Sequence, residues 1–267
     1  MPERDFDGAV VVVTGASTGL GRAIAVETAR RGAKSVIINF ASSQAEAAET
    51  ARLVEAQGAS ALLAKGDVSK DEDCRAIAAK AQDLGRIDAL FNNAGITKFS
   101  RDHADLDGVS GEDFLRLYGV NVVGAYQMIR AARPLLEAHE TPGAVVNTAS
   151  IAGVMGIGSS VPYAASKGAM ITMTLSLARA LAPRIRVNAI CPGYIDTPWF
   201  GRAMGADQLE RLRSAVAGST PLRTASKAED IAGAAVFLAS PAARHITGET
   251  LIVDAGSHLG SAPLAMR

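Results

Sequence analysis

Short runs of apolar and β-branched residues alternate with longer amphipathic segments along almost the whole chain. The short runs predict strands at residues 9–13, 35–40, 60–65, 87–92, 144–148, 184–190 and 250–253. The segments between them predict helices at residues 19–31, 44–57, 71–84, 111–137, 163–181 and 228–239, the fourth of them broken. Nearly continuous apolar strands, such as residues 10–13, are typical of a parallel sheet that helices cover on both faces.

The alternation predicts a single α/β domain over residues 1–267, built on one doubly wound parallel sheet of the Rossmann type with helices on both faces. The carboxyl ends of the strands are then expected to meet at one edge, where such sheets bind ligands.

Two long connections interrupt this pattern, at residues 96–110 and at about 191–226. The second is rich in aromatic and apolar side chains, and it includes Tyr194, Ile195, Thr197, Trp199, Phe200 and Met204. We interpret it as a loop that covers a substrate with hydrophobic parts. The alternatives are a tolerated surface insertion and packing on the core or on a subunit interface.

Composition limits the classes of partner. The chain has 267 residues, of which 48% are hydrophobic, and 27 basic residues balance 27 acidic ones without a long run of either sign. We therefore expect no nucleic-acid or membrane partner, but small molecules. The two cysteines, Cys74 and Cys191, make no disulfide framework, and no signal peptide is recognised, so we expect a cytoplasmic protein. The histidines lack metal-ligand spacing, and we expect no metal site.

A glycine-rich turn follows the first predicted strand directly. It comprises Thr14, Gly15, Ala16, Ser17, Thr18, Gly19, Leu20 and Gly21, and the first helix follows. Glycines let the backbone approach a pyrophosphate closely, and the helix N-terminus supplies free N–H groups. The spacing departs from G-x-G-x-x-G, so a turn that serves only packing is the alternative.

The end of the second predicted strand bears on the choice of cofactor. An acidic residue there would bind the adenosine ribose of NAD, but the sequence has Asn39, followed by Ser42 and Ser43. The Asn39 amide and the two hydroxyls are able to donate to a 2′-phosphate, which favours NADP, with NAD possible as an alternative. The same serines also suit the N-cap of the next helix, with Glu46 close behind.

The most informative residues are Ser150, Tyr163 and Lys167. Tyr163 and Lys167 are four residues apart, so they share one helix face, and an ammonium near a phenol is expected to lower the phenol pKa from about 10. The pair then predicts a proton donor and acceptor, with Ser150 on a preceding loop. Chance placement of a Tyr and a Lys on an amphipathic helix is the alternative.

These motifs occur in one order and, taken together, resemble the short-chain dehydrogenase/reductase family. The resemblance runs from about residue 8 to residue 259. It rests on the glycine turn, Asp67 and Val68 after the third strand, 92–95 (Asn-Asn-Ala-Gly), Asn121, Ser150, the Tyr163/Lys167 pair, Pro192 and Gly193, and the closing stretch 246–256.

The resemblance implies hydride transfer between NADP(H) and a carbonyl or secondary alcohol, with a 3-oxoacyl thioester as one subclass. It implies that Tyr163 exchanges a proton with the substrate oxygen and that Ser150 donates to that oxygen. Lys167 would lower the Tyr163 pKa and bind the nicotinamide ribose, and Asn121 would link Lys167 through water to solvent. The implied cofactor-binding residues are Gly15, Ser17, Thr18, Gly19, Leu20, Gly21, Asp67, Val68, Asn92, Asn93, Ala94, Gly95, Tyr163, Lys167, Pro192, Gly193, Ile195 and Thr197.

The resemblance also implies a homotetramer, with the helix at 228–239 and the final strand as interface candidates and ordinary core as the alternative. By position alone, the substrate pocket would include Thr97, Phe99, Ile151, Val154 and Met155.

A competing hypothesis is an NAD(P)-binding regulatory or scaffold protein without turnover. A nucleotide-sugar epimerase fits less well, because such enzymes need a larger C-terminal region.

Overall fold

A computed structural model describes residues 4–100, 102–197, 199 and 205–260. Its strands are β1 (Val10–Val13), β2 (Ser35–Phe40), β3 (Ser60–Lys65), β4 (Ala89–Asn92), β5 (Gly143–Thr148), β6 (Ile185–Pro192) and β7 (Thr250–Val253). Its helices are α1 (Gly19–Arg30), α2 (Gln44–Glu55), α3 (Asp71–Ala79), α4 (Gly111–Tyr118), α5 (Ala125–Leu136), α6 (Ala152–Met155), α7 (Val161–Leu181), α8 (Ala206–Ser219) and α9 (Ala228–Ala239).

The strands form one parallel sheet in the order β3-β2-β1-β4-β5-β6-β7. The order in which the strands are added to the sheet reverses at β1, which pairs with β2 on one side and with β4 on the other. The predicted doubly wound α/β sheet is confirmed. This reversal opens a crevice outside the carboxyl ends of β1 and β4, the usual ligand position in such sheets.

Helices cover both faces of the sheet, as the apolar strand pattern predicts. Val11 and Val13 pack with α1, α2 and α9 in one core, while Val10 and Val12 pack with α3, α5 and α7 in the other. Because the side chains of a strand alternate between faces, the four consecutive valines of β1 supply both cores. No helix in the described part of the chain is both long and apolar enough to cross a bilayer.

Most predicted elements agree with the structure, and the differences lie at their ends. The fourth predicted helix is broken as expected: α4 ends at Tyr118, a π-helical turn spans Gly119–Gly124, and α5 follows. The third is shorter than predicted, because α3 ends at Ala79 and a separate 3-10 turn covers Gln82–Leu84.

The long connection at 191–226 is less irregular than the sequence suggests. β6 extends to Pro192, and the 14-residue helix α8 occupies the middle of the connection. Phe200 and Met204, which the sequence assigns to a substrate loop, lie outside the described residues.

The two elements proposed for a subunit interface differ in their burial. α9 buries Ile231, Ala232, Ala235 and Val236 in the core that it shares with α1, so most of its apolar surface is ordinary core. β7, in contrast, forms the edge of the sheet beyond β6 and is partly buried along its length.

Candidate active site

The glycine turn connects β1 to α1 in a shape that other residues would strain. Gly15 and Gly19 have φ angles of +61° and +56°, which L side chains rarely adopt. A Cβ atom on Gly21 would lie 2.5 Å from the carbonyl oxygen of Gly15, so Gly21 is required by packing of the turn itself. The result is a tight turn that leads into the N-terminus of α1.

Asn93, which follows β4, braces this turn from the neighbouring strand. Its side-chain amide donates to the carbonyl oxygens of Thr14 and Gly15, at 3.1 and 3.2 Å. The Thr14 hydroxyl accepts in return from the backbone N–H groups of Asn93 and Ala94. The side chain of Asn93 thus supports the turn rather than pointing at a ligand, although Asn93 also borders the cleft described below.

The structure contradicts the donor role predicted for Asn39. Its amide donates to the carbonyl oxygens of Ala64 and Gly66, and its Oδ1 accepts from the N–H of Gly15 at 3.2 Å. The side chain is buried and its hydrogen-bonding capacity is used within the protein. Asn39 therefore joins β2, β3 and the glycine turn, and its amide is not a donor to a 2′-phosphate in this arrangement.

The side-chain hydroxyls of Ser42 and Ser43 are not used in this way. Ser43 is the N-cap residue of α2, but its side chain makes no capping hydrogen bond, and the Ser42 hydroxyl has no partner in the described part of the chain. Ser42 is exposed and Ser43 is half-buried. Both hydroxyls remain available to a ligand beside the N-terminus of α2.

Sequence reasoning missed a cation near these serines. The Arg22 guanidinium donates from Nη2 to the carbonyl oxygens of Ser17 and Glu46, at 2.6 and 3.0 Å, and from Nε to the Thr50 hydroxyl. It therefore lies between the glycine turn and the first turn of α2. Its position one residue after the glycine turn is the available signal, since the end of β2 itself carries no cation.

Asp67 and Val68 follow β3 and are held by short-range contacts. The Asp67 carboxylate accepts through Oδ1 from the N–H and hydroxyl of Ser69. The Val68 carbonyl accepts from the thiol of Cys74 and the amide of Gln127. Neither Asp67 nor Val68 lines the cleft that contains the catalytic candidates.

One cleft of about 320 Å³ joins the glycine turn to the predicted proton-transfer residues. It opens at the carboxyl ends of the strands, and its wall comprises Gly15, Ser17, Thr18, Gly19, Leu20, Asn93, Ala94, Gly95, Thr148, Ala149, Ser150, Tyr163, Lys167, Pro192, Gly193, Ile195, Thr197 and Trp199. Thr148, Ala149 and Trp199 were not among the predicted cofactor or catalytic residues. The cleft suits a dinucleotide, since a helix N-terminus faces one end and proton-bearing groups face the other.

Helix α7 carries Tyr163 and Lys167 on the face toward this cleft. Ser160 caps the helix by accepting from the N–H of Tyr163 at 3.4 Å, and Pro162 occupies the first turn. The ammonium of Lys167 lies 5.7 Å from the centre of the Tyr163 ring and donates to the carbonyl oxygen of Thr148 at 2.7 Å. The predicted shared helix face is therefore observed.

Ser150 lies opposite α7, on the segment after β5. Its hydroxyl accepts from the N–H of Ala152 at 3.1 Å and donates to the Pro192 carbonyl at 3.5 Å. It also lies close enough to the Tyr163 phenol to lower the pKa of that phenol. The Tyr163 ring centre is 6.5 Å from that of Trp199, so an aromatic surface borders the phenol.

The structure contradicts the predicted effect of Lys167 on the Tyr163 pKa. Burial raises the pKa of Tyr163 to about 12, and the nearby Ser150 hydroxyl opposes this rise only in part. Burial also lowers the pKa of Lys167 to about 8, because its ammonium has a carbonyl oxygen as partner and no carboxylate. Desolvation is thus the largest influence on the pKa of both groups.

Asn121 lies in the π-helical turn between α4 and α5 and is fully buried. Its amide donates to the Ile96 carbonyl and the Ser166 hydroxyl, and its Oδ1 accepts from the N–H of Ile96 at 2.8 Å. A Cβ atom on Gly95 would lie 3.4 Å from Asn121 Oδ1 and 3.6 Å from Lys167 Nζ, so both groups approach Gly95. Single π turns are rare in proteins and occur frequently at functional sites.

The substrate-pocket candidates lie beside the cleft rather than in its wall. Ile151 is buried, whereas Phe99, Val154 and Met155 are each more than 40% exposed. The Thr97 hydroxyl hydrogen-bonds to the Ser159 hydroxyl, and the N–H of Ser100 donates to the Ser159 carbonyl at 2.7 Å. These bonds tie the segment after β4 to the loop before α7.

Comparisons with known proteins agree with this geometry. The sequence model of the enoyl-(acyl carrier protein) reductase family matches residues 15–258. A Streptomyces violaceoruber protein assigned as ketoacyl reductase 2 of the granaticin polyketide synthase is 39% identical, over 94% of this chain and 96% of that protein. An uncharacterised oxidoreductase of Methylorubrum extorquens is 36% identical over 94% of this chain and 98% of that protein.

Solved structures give the same result. A short-chain dehydrogenase/reductase from Burkholderia xenovorans has a TM-score of 0.86 and 41% sequence identity, covering 94% of this chain and 98% of that one. A Brucella melitensis protein described as a short-chain dehydrogenase/reductase of the glucose/ribitol dehydrogenase type has a TM-score of 0.83 and 31% identity, covering 96% and 98%. The chain therefore belongs to the short-chain dehydrogenase/reductase family and is an NAD(P)-dependent oxidoreductase.

Proposed function

We propose that this protein uses NADPH to reduce a ketone, with a 3-oxoacyl thioester as one candidate substrate. The observation that carries the proposal is the single cleft that connects the glycine turn to Ser150, Tyr163 and Lys167. The relative assigned as a ketoacyl reductase supports the thioester subclass.

The bound nicotinamide would supply the hydride, and the protein would orient the carbonyl and handle one proton. The phenol of Tyr163 would donate this proton to the substrate oxygen, and the Ser150 hydroxyl would stabilise the charge that develops there. With a pKa of about 12, Tyr163 keeps its proton at neutral pH, as a proton donor to the substrate oxygen must.

Lys167 would bind the nicotinamide ribose and return a proton to Tyr163. Its ammonium projects toward the cleft and is fixed by the Thr148 carbonyl. The backbone carbonyl of Asn121 would hold a water molecule that links Lys167 to solvent, since its side chain is used by Ile96 and Ser166. Support for this role comes from the approach of both side chains to Gly95 and from the π turn that carries Asn121.

The preference for NADPH over NADH rests on the surroundings of the α2 N-terminus. No carboxylate ends β2, the hydroxyls of Ser42 and Ser43 have no partner in the described residues, and the Arg22 guanidinium lies nearby. A cation, two hydroxyls and a helix N-terminus together favour a 2′-phosphate. Asp67 and Val68 would bind the adenine.

The substrate is proposed to have an apolar part next to its carbonyl. Trp199 borders Tyr163, and Phe99, Val154 and Met155 present exposed apolar side chains beside the cleft. Burying these side chains against a hydrophobic substrate would stabilise the complex by roughly 25 cal/mol per Å² of apolar area.

A homotetramer is proposed for the assembled enzyme, in keeping with the family. The described surface offers exposed apolar residues on neighbouring helices, and β7 leaves one edge of the sheet open.

The direct test is a spectrophotometric screen of ketones, 3-oxo thioesters and secondary alcohols with all four nicotinamide cofactor forms. We expect ketone reduction with NADPH, with kcat/KM at least tenfold above that with NADH. Tyr163→Phe should lower kcat by about 10²- to 10⁴-fold while leaving cofactor affinity unchanged. Cofactor binding without turnover across the panel would indicate a regulatory or scaffold protein instead.

A further inference from the structure

The 193–197 segment, which leaves β6 at the end of the sheet, forms one wall of the cofactor cleft. Gly193, Ile195 and Thr197 all line the cleft. A Cβ atom on Gly19 would lie 3.4 Å from Thr197 Cγ2, so the segment passes directly over the glycine turn. Its distance from that turn sets the width of the cleft where a pyrophosphate would bind.

Backbone contacts hold this segment at its two ends. The N–H of Gly193 donates to the carbonyl of Val253 at 3.2 Å, and a Cβ on Gly193 would lie 2.7 Å from the Cβ of Asp254. At the other end, the N–H of Asp196 donates to the carbonyl of Ser226 at 2.8 Å, within a single parallel bridge to Lys227. The end of the segment at Asp196 is thus held by one backbone bridge and by side-chain contacts.

The side chain of Asp196 makes a two-point ion pair with Arg213 of α8. Arg213 Nη2 donates to Oδ1 at 3.0 Å, and Arg213 Nε lies 2.8 Å from Oδ2. Only the Nη2 contact is a hydrogen bond, because Nε has no hydrogen-bond partner among the described residues. The pair therefore ties Asp196 to α8 through one charge-assisted hydrogen bond and one close charge contact. The phenol of Tyr194 lies beside both groups, and its pKa is raised by burial and by the Asp196 carboxylate.

Apolar packing is a weak alternative anchor for α8. None of its residues, from Ala206 to Ser219, is fully buried. The side chains of Arg213 and Asp196 are 40% and 21% exposed, so their attraction is partly screened by water. The connection between α8 and the cleft wall therefore depends largely on a polar contact.

We propose that Asp196 and Arg213 are positioning residues for the cofactor, because their ion pair holds the 193–197 segment against the glycine turn. The inference rests on the proposed use of this cleft for a nicotinamide cofactor. Neither residue would touch the reacting atoms, so the pair affects cofactor affinity and leaves the proton transfer at Tyr163 unchanged.

The test is a cofactor titration of the full chain that needs no turnover. Trp199 is the chain's single tryptophan and lies in the cleft wall, so its fluorescence reports bound NADPH or NADH. Arg213→Gln and Asp196→Asn should each raise Kd about fivefold for both cofactors. The double variant should bind cofactor as tightly as either single variant, because all three variants lack the same ion pair.

Glu210→Gln is the matched control. Glu210 also contacts Arg213, at 3.3 Å, but lies on α8 itself and not on the 193–197 segment. Glu210→Gln should bind cofactor with the wild-type Kd. The charge exchange Asp196→Arg/Arg213→Asp, which restores the ion pair with its charges swapped, should recover much of the cofactor affinity lost in the single variants. At saturating cofactor, kcat of Arg213→Gln should stay within about twofold of wild type.

Three results would overturn the inference: unchanged Kd in Arg213→Gln, an equal loss in Glu210→Gln, or fully additive losses in the double variant. Failure of the proposed reduction would look different. In that case the variants would still differ in cofactor Kd as predicted, but the wild type would reduce no carbonyl compound in the screen.

Discussion

Two buried ionisable side chains, Tyr163 and Lys167, determine the expected pH dependence of the reaction. With pKa values of about 12 and about 8, Tyr163 keeps its proton throughout the working range and Lys167 loses its proton first. Reduction should therefore have a constant kcat/KM for NADPH below pH 8 and a decline of about tenfold per pH unit above it. Rates measured from pH 6 to 10 at constant ionic strength test this; a kcat/KM that rises with pH would contradict it.

The lowered pKa of Lys167 also makes a prediction for stability. Below pH 8 the ammonium is charged in both the folded and the unfolded chain, so the cost of burying it is fully present. Between pH 8 and the ordinary value of 10.5, the unfolded chain binds a proton that the folded chain has lost, and stability rises with pH.

Relative to Lys167→Met, the wild type should therefore gain about 3 kcal/mol in unfolding free energy between pH 8 and pH 10.5. Denaturant unfolding of both proteins at several pH values measures this difference. Other titrating groups are common to both proteins, so their contributions cancel except for that of Cys191, whose thiol pKa Lys167 lowers. A difference that does not change with pH would contradict the burial argument.

Sequence spacing was sufficient to predict which residues meet but not their proton affinities. Tyr163 and Lys167 share a helix face because residues four apart always do. The rise in the Tyr163 pKa depends on burial by other elements, which no local pattern encodes. The donor role predicted for Asn39 was wrong for a related reason. Asn39 lies opposite Ala64 of β3, and this register gives its side-chain amide partners within the protein.

At the scale of elements, the glycine turn between β1 and α1 is where packing and ligand binding coincide. Gly21→Ala should destabilise the fold by about 1–3 kcal/mol, because the new Cβ would collide with the Gly15 carbonyl and the Asn93 side chain. It should also weaken NADPH binding at least tenfold. Thermal unfolding and the Trp199 titration measure the two effects.

Gly218→Ala provides the matched substitution. Gly218 lies in α8, and a Cβ atom added there would have nothing within 4 Å, so this variant should gain about 0.5 kcal/mol and bind NADPH normally. Equal losses in both variants would show that the turn has no special role.

The strands were easier to predict than the connections between helices. Buried parallel strands are short apolar runs with β-branched residues, which the sequence displays directly. α8 was missed because the glycines and prolines around it outweighed its own amphipathic pattern, and Gly205 supplies an N-cap with no side chain to recognise. The π turn before α5 leaves no sequence signature beyond the break itself.

At the scale of the whole molecule, the proposed homotetramer would use the exposed apolar residues on α4, the π turn, α5 and α7 as its assembly surface. Leu115 is 75% exposed, and Val123, Tyr126 and Leu175 are each more than 45% exposed. Light scattering after size exclusion should give about 110 kDa, four chains of 27.5 kDa. Leu115→Glu should reduce this mass, whereas Leu222→Glu, on an equally exposed residue elsewhere, should not. A wild-type mass near 27.5 kDa would contradict the tetramer.

The central claim is that hydride comes from the nicotinamide while Tyr163 supplies the proton. Its most direct test is one single-turnover measurement with NADPH that carries deuterium at both C4 positions and a ketone found in the screen, comparing wild type with Tyr163→Phe. We predict one deuterium on the carbinol carbon of the wild-type product, and a rate at least a hundredfold lower for Tyr163→Phe with cofactor still bound. Unlabelled product, or an undiminished rate in Tyr163→Phe, would contradict it.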